Sequence, residues 1–202
     1  MKDYIISVII GFSLGVLAKV VDFIPGNTLL GQLGLREIMN NYGIFICTIC
    51  YLEYNAKNIK LGFLHTATAM FSMIFSYYLI FFVLFKIWAY KYLLLWSIIT
   101  LCSLILYLVI TLRRKKGYIA LVGILAPIIL LGNEALRFIN IDKFANFQVW
   151  INLIAIVVLF WKFPNSNRHR IFSIIIFVLF IPFLRSFDLI RQTVNIFYGI
   201  LF

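Results

Sequence analysis

Charge is scarce in this sequence, and acidic charge scarcest of all. Only 12% of the 202 residues are charged, with seven Asp and Glu against 18 Lys and Arg. Soluble domains carry about a quarter charged residues, so a water-facing surface cannot be assembled from this supply. Long polar segments are missing too. No stretch between apolar runs is long enough to fold outside a bilayer, so residues 1–202 read as a single integral membrane domain. Cysteine is limited to Cys47, Cys50 and Cys102, all inside apolar runs, which excludes a secreted disulfide framework. Cys47 and Cys50 form a C-x-x-C, read as small apolar helix residues because no second cysteine pair accompanies them. Histidine occurs only at positions 65 and 169, and neither a metal nor a cofactor is expected.

Enzyme signatures are also absent. There is no H-E-x-x-H of a membrane metalloprotease and no G-x-S-x-G. No pair of mid-membrane aspartates exists, since Asp22 and Asp188 fall near run ends. Without a phosphate-binding Walker loop the chain cannot power transport itself. No catalytic residue is assigned, and the balance is against an enzyme.

What is present is apolar. Hydrophobic residues make up 64% of the chain, and a span needs roughly 20 of them to cross about 30 Å of hydrocarbon. Such runs fall at about 4–23, 42–54, 61–85, 93–112, 118–138, 149–161 and 171–182. The second and sixth are short. The pattern predicts an all-α, polytopic transmembrane helix bundle of about seven spans. After the first run come Lys19, Val20, Val21 and Asp22 in place of a small-residue cleavage site, so that run reads as a retained span. Residues 29–41 suggest a short interfacial helix, and Trp88, Tyr90 and Tyr92 beside Lys86 and Lys91 an interface belt. Residues 187–202, interrupted by Asp188 and Arg191, read as amphipathic, broken or re-entrant.

The net charge of +11 lies mostly in the loops. Lys57, Lys60, Arg113, Arg114, Lys115, Lys116, Lys162, Arg168 and Arg170 fall on one side of a seven-span chain; Arg36, Lys86, Lys91 and Lys143 fall on the other. The richer side faces the cytoplasm, which places the N-terminus inside a bacterial cytoplasmic membrane. Arg113, Arg114, Lys115 and Lys116 are expected to meet anionic lipid headgroups. The basic loops are too short to form a nucleic-acid groove.

Ionisable groups in hydrocarbon are costly and mark functional candidates. Lys19 with Asp22, and Glu134 with Arg137, each have i,i+3 spacing and so can meet on one helix face. Together with Asn133 they form the candidate ligand-binding set, an outward-facing polar pocket if the first and fifth spans pack together. The bland alternative is that each pair only offsets its own desolvation or snorkels to headgroups. Glu53 is expected in a surface ion pair with Lys57, and His65 in a hydrogen-bonded packing role rather than a proton relay. Gly11 and Gly15 form a G-x-x-x-G that permits close helix approach.

Gly15-Val16-Leu17-Ala18-Lys19 with Asp22 and Pro25, then Met73, Ser76-Tyr77-Tyr78-Leu79, Trp96 and Glu134, give a further lead. In these residues the chain resembles an uncharacterised bacterial family of small polytopic membrane proteins, over roughly its first 140 residues. That resemblance implies a membrane location and no catalytic residue. In size and apolarity the chain is also similar to the substrate-binding subunits of energy-coupling-factor transporters, from which its seventh span departs. Three functions compete: a small-molecule transport or ligand-binding subunit with an ATPase or other membrane partner, a structural or immunity-type interaction protein, and, least favoured, an intramembrane enzyme using His65 or Glu134.

Overall fold

The computed structural model describes residues 2–28, 31, 34–87, 90–142 and 147–186. Among them it is all-helical. The helices are α1 (Lys2–Val21), α2 (Leu35–Asn40), α3 (Tyr42–Asn55), α4 (Ile59–Phe85), α5 (Tyr90–Thr111), α6 (Ile119–Asp142), α7 (Phe147–Lys162) and α8 (Asn167–Ser186), with a 3₁₀ turn at Leu112–Arg114. Every predicted span coincides with one helix. Trp88, Lys143 and the whole 187–202 segment, including Asp188 and Arg191, lie outside the described residues.

Among the described residues, five helices are long and apolar enough to cross a membrane: α1, α4, α5, α6 and α8. At 1.5 Å per residue, the 14 residues of α3 and the 16 of α7 reach only about 21 and 24 Å. Helix α8, the seventh predicted span, runs past Pro182 to Ser186 rather than ending at the proline. An early stop there is what helix propensity in water predicts; apolar surroundings penalise any exposed backbone group, so the helix continues.

The chain divides into two compact units. The first comprises residues 1–41 and 51–107, the second residues 42–50 and 108–202. In both, the outer surface is apolar and several polar side chains are buried, unlike a soluble protein. Large apolar side chains such as Ile9, Phe75, Val157 and Leu179 are exposed, whereas Ser7, Thr66, Ser76, Gln148, Asn152 and Glu134 are buried. A bilayer would solvate the former, whereas the latter need partners within the protein.

Within the first unit, α1 packs along α4. Ser7 meets His65, and a side chain at Gly11 or Gly15 would strike the backbone of Ala69 or Met73. In all three pairs the partner lies 58 positions further on. Constant separation with rising numbers means that the two helices are parallel. The chain therefore returns to its starting side between residues 22 and 58. The seam is tight because glycine removes the Cβ at the contact, and serines stitch it. The Ser72 hydroxyl donates to the Val8 carbonyl at 3.1 Å, and that of Ser76 to the Phe12 carbonyl at 3.0 Å. Asn58 caps α4 by accepting from the Leu61 N–H at 2.8 Å. Lys86, at φ 56°, closes its other end in the left-handed conformation.

In the second unit, α6 packs against α7, α8 and the 3₁₀ turn. Phe160 of α7 meets Phe177 of α8 edge-on, with ring centroids 5.6 Å apart. Pro127 sits inside α6 without ending it.

Candidate functional site

Glu134 lies two-thirds of the way along α6 and is 1% exposed. Its carboxylate accepts four hydrogen bonds. The Tyr42 N–H donates to Oε1 at 2.7 Å, and the Gly43 N–H is a further backbone donor. Asn152 Nδ2 and Gln148 Nε2 donate to Oε2 at 2.8 and 3.1 Å. Gln148 also donates to Asn152 Oδ1 at 3.2 Å, closing the cluster.

Local structure explains why the carboxylate is there. The first N–H groups of any helix lack partners inside it. At α3 the residue preceding the helix, Asn41, makes no side-chain capping bond. Glu134 supplies that cap from another helix, with its carboxyl at the positive end of the α3 dipole. Gln148 and Asn152 are four apart at the start of α7, so they present two amides on one face. Gly43 leaves the room: a Cβ at that position would collide with Glu134, Gln148 and Asn152.

Arg137 does not join this cluster. Its guanidinium lies 6.0 Å from the ring centroid of Phe138, and among the described residues no ammonium or guanidinium pairs with Glu134. The i,i+3 spacing allowed the pair, but the helix N-terminus and two amides meet the carboxylate instead. Asn133 is buried beside it and donates from Nδ2 to the Leu184 carbonyl at 3.4 Å, tying α6 to α8.

Lys19 and Asp22 belong to the first unit. Here the expected pair forms, with Nζ 3.3 Å from Asp22 Oδ2. Lys19 is only 5% exposed, and its ammonium sits 4.7 to 5.5 Å from the ring centroids of Phe23, Tyr77, Phe81 and Phe85. A desolvated cation over an aromatic face gains about 2 kcal/mol or more. The Tyr77 hydroxyl donates to Asp22 at 2.8 Å, and Arg36 Nε lies 3.9 Å from its other oxygen. This lysine is neutralised from within.

Several other expectations change. Glu53 is completely buried and Lys57 exposed, so Glu53 does not hold the surface position anticipated for it. Arg113 is buried, with its guanidinium 4.6 Å from the Phe163 ring centroid. His65 is 3.0 Å from the Ser7 hydroxyl, and its ring lies 4.5 Å from that of Tyr4, as befits a packed histidine. Cys47 and Cys50 form no disulfide.

Gln148 and Asn152 were not among the sequence candidates. The signal was two amides at i,i+4 in an otherwise apolar run; the backbone N–H groups of Tyr42 and Gly43 left none. No protein-family model, curated protein or solved structure matches the chain.

Proposed function

We propose that this chain is a multi-pass protein of the bacterial cytoplasmic membrane, acting as a small-molecule transport or ligand-binding subunit in which Glu134 meets the ligand. One observation carries the reading: a buried carboxylate held, among the described residues, by neutral donors. An ionised carboxylate in apolar surroundings costs several kcal/mol unless it is compensated. Amide donors and a helix dipole offset part of that cost. A cationic ligand, such as a monovalent metal ion or an organic ammonium, would offset the rest. Lys19 and Asp22 enter this reading as a structural pair, since each already has its counter-charge.

The test is Glu134→Gln, screened with the parent for cation-dependent thermal shifts and for bound small molecules by native mass spectrometry. The variant should keep its folded yield within about twofold, because the amide carbonyl still accepts at α3, while the ligand response is lost. Equal ligand responses in both proteins, or a loss of yield alone, would leave Glu134 as a structural cap.

A second reading, a membrane interaction protein, is favoured by α8. Ile171, Ile175, Val178 and Leu179 of that helix are all exposed. Co-purification of a stoichiometric membrane partner that is lost on charge reversal at Lys115 and Lys116 would support it.

A further inference from the structure

We infer that the second unit carries a binding site for the phosphate of an anionic phospholipid, built jointly by the loop before α6 and the loop between α7 and α8. The inference rests on the membrane reading above. The two loops are fastened together, since Asn165 Nδ2 donates to the Arg113 carbonyl at 2.8 Å and the Arg113 guanidinium lies over Phe163. Arg113 is thus spent on joining the loops. Around this joint stand Arg114, Lys115, Lys116, Lys162, Arg168 and Arg170, and neither loop contains a carboxylate. Lys115, Lys116, Lys162 and Arg168 are exposed.

Cations at the start of α8 oppose its dipole. Arg168 and Arg170 occupy its first turn, whose N-terminal Ser166 hydroxyl accepts from the His169 N–H at 3.2 Å. An anion at this end would relieve both the like charges and the dipole. Arg170 is already oriented: its guanidinium lies 4.9 Å from the Trp161 ring centroid, and it donates to the Trp161 carbonyl and to Asn167 Oδ1, each at 3.2 Å.

The border of the patch favours a lipid over a soluble polyanion. Tyr118 is 84% exposed and Trp161 68%, directly beside the basic residues, and exposed Ile171 follows Arg170. Aromatics flanking lysines and arginines match the boundary between headgroups and acyl chains. A nucleic acid or an acidic protein segment would leave that apolar rim bare.

The full chain and two variants, Lys115→Gln/Lys116→Gln and the same with Arg168→Gln, are incorporated into phosphatidylcholine vesicles and floated. They are then extracted with equimolar phosphatidylcholine and phosphatidylglycerol and examined by native mass spectrometry. The parent is expected to retain phosphatidylglycerol more than tenfold over phosphatidylcholine, the double variant less, and the triple variant without preference. Circular dichroism confirms equal helicity, since the altered side chains are exposed. Equal retention of both lipids by the parent, or undiminished preference in the triple variant, overturns the site. Stabilisation by inorganic phosphate without any lipid preference makes it a soluble-anion site and overturns the lipid assignment. Failure to float overturns the membrane reading itself.

Discussion

A lysine with 5% of its surface exposed is stable only if its charge is answered locally, and Lys19 shows how. Asp22 supplies the counter-charge and four rings supply negative faces, while Tyr77 and Arg36 hold the carboxylate in turn. Breaking a buried pair from one side strands the other charge, at about 3 kcal/mol or more. Lys19→Met and Asp22→Asn should therefore each destabilise by about that amount. The double variant should lie within about 1 kcal/mol of the parent, because removing both charges strands neither. Denaturant titration in detergent micelles checks this, and additive losses would show that the pair is not coupled.

At the scale of the element, the α1–α4 seam illustrates what glycine does where lipid surrounds the helices. Lipid gives no hydrophobic drive for helix association, so van der Waals contact and interhelical hydrogen bonds must hold the pair. Both require backbones to approach closely, and a side chain at Gly15 would land on the Met73 carbonyl and the Ser76 hydroxyl. Gly15→Leu should cost about 1–3 kcal/mol by overpacking and weaken the Ser76 bond to Phe12. Gly26→Ala is the control, because nothing lies within 4 Å of the added methyl; it should stay within about 0.5 kcal/mol. Thermal unfolding in the same micelle compares the two.

For the whole molecule, the distribution of loop charge makes a prediction about sidedness. With α1 and α4 parallel, the loops at Lys57 and Lys116 should face the cytoplasm and the turn at Lys86 the outside. Single cysteines at these positions, in a background with Cys47, Cys50 and Cys102 replaced, can be labelled from one side of intact cells with an impermeant maleimide. Labelling at 86 alone is expected. Labelling at 57 or 116 from outside would reverse the orientation.

The helices could be read from the sequence because a bilayer admits few alternatives. Apolar runs must be helical there, every backbone group must be paired within its own segment, and basic loops mark their boundaries. Hydropathy thus located α4 to within two residues at its start and exactly at Phe85. The Lys19–Asp22 pair was legible because it lies on one helix, where spacing alone brings the groups together. Glu134 was legible as a costly group, but its partners were not. The spacing to Arg137 pointed along α6, whereas the carboxylate turned to the N-terminus of α3 and the amides of α7. Glu53 and Arg113 were likewise read as surface charges from their place near span ends, yet both are buried. Sequence determines the cost of removing a charge from water. Only the tertiary structure decides which donors offset it, because they come from residues distant in the chain and, at Tyr42 and Gly43, from the backbone that every residue shares.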